Sequence, residues 1–153
     1  MSIIKNFLIL IFVSVFSLSA NSQDVKKVGK FKAWEAMVIV EQTGKVCFAQ
    51  SAPVLQAPKS NLREARMFVS FRPGEKISNE ISITGGYEFN NKNSITAKSG
   101  KSKYKFDIAQ EGFAWIADNK LENKMINTMK KGSRIMITGH NQKGSQTIDH
   151  YSL

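Results

Sequence analysis

The stretch Lys103-Tyr104-Lys105-Phe106-Asp107-Ile108 alternates charged and apolar residues without a break. Successive side chains of a β-strand point to opposite faces, so one side of this segment suits water and the other a core. The same period of two extends in both directions. Upstream, Ile81 and Ile83 alternate with Glu80, Ser82 and Thr84 before Gly85-Gly86. Met67, Val69 and Phe71 alternate with Arg66, Phe68, Ser70 and Arg72. Trp34, Ala36, Val38 and Val40 share one side of an earlier strand, opposite Glu35, Met37 and Ile39. Thr43-Gly44 turns that strand into Val46-Cys47-Phe48-Ala49, because glycine takes the positive φ of a tight hairpin. Downstream, Phe113-Ala114-Trp115-Ile116 reads as a short apolar strand, and residues 134–139 and 146–153 as two more. The rings of Trp34 and Trp115 are expected to anchor the core.

Only residues 118–131 carry helical spacing. Leu121, Met125, Ile126 and Met129 fall on one face, Asp118 or Asn119 caps the start, and Lys130, Lys131 and Gly132 mark the end. The pattern predicts a mainly β fold: an antiparallel β-sandwich or small barrel of about eight strands, with one late helix over an open end or edge.

The first residues follow a different logic. Lys5 precedes an apolar run from Phe7 to Phe16, and Ala20-Asn21-Ser22 supplies a small-x-small exit. That is the pattern of a secretory signal peptide over residues 1–22, too short to span a bilayer. A short basic leader, 23–30, and a single domain, 31–153, then follow. The expected location is periplasmic or secreted, with no transmembrane anchor after cleavage. Cys47 is the single cysteine of the chain, so no intramolecular disulfide is available. Its apolar neighbours point to burial.

Catalytic patterns are missing. The two histidines, His140 and His150, are isolated; Asp149 precedes His150, but adjacent strand residues face opposite ways. There is no G-x-S-x-G elbow, no C-x-x-C or H-x-x-x-H spacing, no calcium loop and no phosphate-cradling loop. No enzyme activity, metal or cofactor is expected. A hydrolase using His140 or His150 with a distant carboxylate stays open as an alternative, as does a purely structural envelope protein.

Charge is the remaining signal. Lysines and arginines number 22 against 12 acids, a formal charge of +10, and the signal-peptide pattern over 1–22 contributes only Lys5 to it. Lys98, Lys101, Lys103 and Lys105 cluster within eight residues. On a strand, Lys103 and Lys105 project together while Tyr104 and Phe106 point the other way. Such lysines guard an edge strand against aggregation. They also suit an anionic envelope polymer, lipid headgroups or an envelope or surface protein. Nucleic acid is not expected, because the rings face the core instead of sharing the lysine surface.

Several short motifs occur together: Trp34-Glu35-Ala36, Gly44-Lys45-Val46-Cys47, Arg72-Pro73-x-Glu75-Lys76, Gly86-Tyr87, Trp115 with Asp118, Met129-Lys130-Lys131-Gly132, and Thr147-x-Asp149-x-Tyr151-Ser152-Leu153. In this order the chain resembles the invasion-associated locus B family of exported bacterial proteins, from about Phe31 to Leu153. The resemblance implies a compact, mostly β domain and no catalytic residues. Relatives often carry a second cysteine past the Tyr-Ser-Leu ending, and an acid where Ala33 stands here. Within these motifs, Arg72, Glu75 and Lys76 present both charge signs at one rim of a sheet. Either Arg72 pairs with Glu75, or Arg72 binds a carboxylate or phosphate of a ligand bidentately.

Overall fold

The computed structural model describes residues 25–42 and 44–153, so the signal peptide expected over 1–22 lies outside the described residues. Twelve strands and one helix follow in order. They are β1 (Val25–Phe31), β2 (Trp34–Glu41), β3 (Gly44–Ser51), β4 (Leu55–Ala57), β5 (Arg66–Arg72), β6 (Ile77–Thr84), β7 (Ile95–Ser99), β8 (Ser102–Phe106), β9 (Ile108–Gln110), β10 (Phe113–Trp115), α1 (Asn119–Lys131), β11 (Arg134–His140) and β12 (Gln146–Ser152). A 3-10 turn, Pro73–Glu75, joins β5 to β6.

The strands form two antiparallel sheets. The larger has the order β1-β2-β3-β5-β6-β10-β9 and the smaller β4-β12-β11-β7-β8. Their facing sides supply one core: Met67, Ile81, Ile83 and Ala114 from the first, and Ile95, Ala97, Tyr104, Phe106, Ile135, Ile137 and Tyr151 from the second. The architecture is a β-sandwich rather than a barrel.

Helix α1 lies where expected. The Asp118 side chain accepts the Lys120 N–H at 2.8 Å, and the Gly132 N–H closes the far end on Met129. Its apolar stripe of Met125, Ile126 and Met129 is buried against the sandwich beside β6 and β8.

The deciding alternation is split by the structure. Tyr104 and Phe106 are buried and Lys103 and Lys105 exposed, as the pattern requires. At Asp107, however, the chain leaves the smaller sheet, and Ile108 starts β9 on the edge of the larger one, exposed to solvent. Asp107 holds the crossing by accepting the Ala117 N–H at 3.0 Å.

Four strands were not expected. β1 replaces the basic leader of 23–30 and pairs along β2, with Lys27 bonded to Glu35. That lysine is why the Glu35 carboxyl sits below its ordinary range. β4, β7 and β9 are short; β4 and β7 pair with strands distant in sequence, as in Asp149↔Gln56 and Ile137↔Ala97, while β9 forms a hairpin with β10.

Two core expectations are corrected. Trp34 packs against the core and donates Nε1–H to the Ser152 carbonyl at 2.9 Å, but Trp115 does not join it. In β10 it is Ala114 that is buried, while Phe113 and Trp115 face outward. There they continue a row of rings, Phe48, Phe68, Phe113 and Trp115, with centroids 6.2, 6.2 and 5.9 Å apart. Ring-on-ring packing gives them the apolar cover that the interior does not. Cys47 is half-buried rather than buried, because the smaller sheet does not reach over that part of β3.

The sandwich is pinned by a buried polar cluster. Arg63, in the loop after β4, donates Nη2–H to Asp149 Oδ1 at 2.7 Å and Nη1–H to Oδ2 at 3.0 Å, with both side chains only 5% exposed. Nη1 also reaches the Gly85 carbonyl at 3.0 Å. The Gln56 side chain grips the Arg63 backbone on both sides, at 3.0 and 3.1 Å. The guanidinium lies 5.6 Å over the Tyr87 ring, whose hydroxyl meets Thr147 at 2.5 Å. Burial pushes the Tyr87 and Tyr151 hydroxyls above their ordinary range, so both remain neutral.

Candidate binding surfaces

Strands β7 and β8 pair with Lys98 directly opposite Lys103 and Thr96 opposite Lys105. Like charges set opposite one another across strands destabilise a sheet. Met136 stands next to Lys98 and carries the row on to His150 and Leu55. Arg134, two residues before Met136 on the same face of β11, adds a further exposed cation. The five strands of this sheet contain one acid, Asp149, and it is turned inward onto Arg63. The outer face is therefore basic and free of carboxylates. Lys98, Lys103 and Lys105 form no ion pair among the described residues. Lys101 sits exposed in the turn between β7 and β8.

This face assembles what the sequence only suggested. Lys98, Lys103 and Lys105 were legible as a cluster. The addition of Arg134 and the removal of Asp149 were not, because both depend on strand pairing. Arg134 lies at the start of β11, beyond the end of α1.

The other expected site lies on the larger sheet. Arg72 Nη2 donates to both oxygens of Glu80 at 2.5 and 2.6 Å, while its Nε is 3.6 Å from Glu75. Arg72 does pair with Glu75 in the turn, but its closer partner is Glu80, across the strand pair. A ligand carboxylate would have to displace Glu80. Lys76, left-handed at φ 58, follows the 3-10 turn and is exposed.

Arg72, Lys76, Glu80, Trp115, Asn119 and Glu122 line a cavity of about 430 Å³ beside the start of α1. Its cations and acids balance, so it has no strong preference for either sign. Glu122 is buried and accepts the Ile81 N–H at 2.9 Å. Burial raises its pKa above the ordinary 4.5, and the nearby Glu80 and Asp118 add to this, against the opposing Ile81 hydrogen bond. The folded protein thus holds this proton to higher pH than the unfolded chain does. Its contribution is fully present below the ordinary glutamate range and is lost as pH rises through the native value. Glu122→Gln keeps an acceptor for Ile81 and removes the ionisation. It is expected to melt above the parent protein at about pH 8 and together with it near pH 4. Thermal melts at the two pH values check this; a parent that gains on the variant with rising pH contradicts it.

Neither histidine pairs with an acid among the described residues. His140 ends β11 and His150 lies on the outer face of β12, with Asp149 on the inner. The Nδ1 atoms of both are buried without a hydrogen-bond partner among the described residues. No group of three or more metal-ligating side chains occurs among the described residues. No helix among them is long and apolar enough to cross a membrane.

Comparison with protein-family models, curated proteins and solved structures returns no match.

Proposed function

We propose that the protein is an exported, non-catalytic binding domain of the invasion-associated locus B kind, periplasmic or secreted, that attaches to an anionic component of the cell envelope. The observation that carries this reading is the outer face of the smaller sheet, where Lys98 opposes Lys103 with no carboxylate alongside. Edge protection needs lysine on the edge strand alone. It does not call for a second lysine on β7 or for Arg134 on β11. An anionic polymer or headgroup layer relieves the repulsion among all of them at once. The placement of Asp149 in the core, away from both histidines, supports a binder over a hydrolase.

At about 1 kcal/mol per lysine near an anionic surface, replacing Lys103 and Lys105 together by Gln weakens binding to isolated envelope fractions about 30-fold. The matched pair Lys120→Gln with Lys124→Gln, on the exposed side of α1, leaves it within about twofold. Pull-down across a concentration series reads both. Equal losses in the two double variants would show attraction to net charge alone and would overturn the assignment to this face.

A further inference from the structure

The larger sheet extends beyond the smaller one, and the uncovered part of its inner face forms an apolar trough. Register defines three rows on that face: Trp34–Ser51–Met67, then Ala36–Ala49–Val69, then Val38–Cys47–Phe71. Met67 in the first row is buried, but Phe71 in the third is 47% exposed. Between sheet and helix lies a groove of about 330 Å³, lined by Trp34, Ala49, Val69, Ile126, Met129 and Leu153. Asn79 and Lys130 are its polar lining residues, and Asn79 is already bonded to Asn123 at 2.8 Å. That leaves Lys130, which makes no ion pair among the described residues. Lys26, opposite Val38, and Lys45, opposite Val40, stand at the far end of the same face. None of the inward positions of β1, β2, β3 and β5 holds an acid.

We propose that this trough binds one acyl chain with an anionic head, a long-chain fatty acid, its carboxylate at Lys130 and its tail running over Ala49 and Val69 towards Cys47. The small side chains Ala36 and Ala49 leave the floor low enough for a tail, and the lining rewards methylene burial. A peptide strand is disfavoured because the floor residues Ala36, Ala49 and Val69 lie on strands paired on both sides at those positions. A second copy is disfavoured because it would bring Lys26, Lys45 and Lys130 against the same uncompensated lysines. The inference is independent of the lysine face, which lies on the other sheet.

Cys47 is a built-in reporter, being the single thiol of the chain. With dodecanoate below its micelle concentration and at ten times Kd, maleimide labelling of Cys47 slows about tenfold, as free trough falls to about a tenth. In a Trp115→Phe background, Trp34 fluorescence gives a saturable change at the same concentrations. Ala49→Leu fills the floor and abolishes both signals. Lys130→Gln, at an exposed position, weakens dodecanoate about tenfold and leaves dodecanol unchanged. The proposal is overturned if dodecanoate gives no saturable signal in the parent protein, or if Lys130→Gln affects dodecanol as much as dodecanoate. Labelling that slows with protein concentration alone would assign the trough to a second copy and likewise overturn it. So would protection by anionic phosphatidylglycerol vesicles without protection by monomeric dodecanoate.

Discussion

Asp149→Ala lowers the stability of the protein by about 3–5 kcal/mol, the usual cost of leaving one member of a buried ion pair without the other. Among the described residues its carboxylate is the one counter-charge to Arg63, and both side chains are 5% exposed. With Asp149 gone, the guanidinium keeps the Gly85 carbonyl and the Tyr87 ring but no anion. The loss reaches beyond one contact, because Arg63 ties the loop after β4, the turn after β6 and β12 together. Against a typical stability of about 5–15 kcal/mol, that loss is a large share of the total. The double variant Arg63→Met with Asp149→Leu removes both charges and is expected to recover much of the loss. Urea denaturation of the three proteins reads this directly. If Asp149→Ala unfolds within about 1 kcal/mol of the parent, the pair is not the pin described here.

The second large effect comes from a residue with no side chain. Gly139, in β11, faces inward against Tyr87 and Phe89. A Cβ built there would sit 2.7 Å from the Tyr87 hydroxyl and 2.9 Å from Phe89 Cε1. Those rings pack edge to face with centroids 5.2 Å apart, and the Tyr87 hydroxyl is held by Thr147. Neither ring can give way cheaply. Gly139→Ala therefore costs about 1–3 kcal/mol through overpacking. Pairing it with Tyr87→Phe, which removes the nearest atom, recovers part of that cost, and a double-mutant cycle measures how much. A neutral Gly139→Ala would mean that the strand or the rings shift freely.

These two sites mark where sequence reasoning stopped. Period-two patterning placed Tyr104 and Phe106 inside and Lys103 and Lys105 outside, because each strand reports its own two faces. It also placed α1, whose cap, stripe and terminal glycine are all local. Nothing local distinguishes Arg63 from the polar loop around it, and its partner is 86 residues away. The same limit applies to Arg72: its pair with Glu75 within the turn was legible, whereas its closer partner, Glu80 across a strand pair, was not. β4 was hidden between Pro53 and Pro58, and β1 behind its lysines, because each becomes a strand by pairing with a neighbour. Trp115 was misplaced for a related reason. A wholly apolar run carries no alternation, so the choice between Ala114 and Trp115 for the interior had no sequence signal. The trough had none either, since it arises from one sheet being wider than the other.

The reading of the lysine face depends on screened attraction, and salt separates that from other kinds of binding. The most direct measurement is saturation binding of residues 23–153 to isolated cell-envelope fractions over a salt series. The expected result is saturable binding at low salt that falls away by about 0.3 M, where the screening length is near 6 Å. Binding that is absent at low salt, or that persists unchanged at high salt, would contradict attachment through Lys98, Lys103 and Lys105.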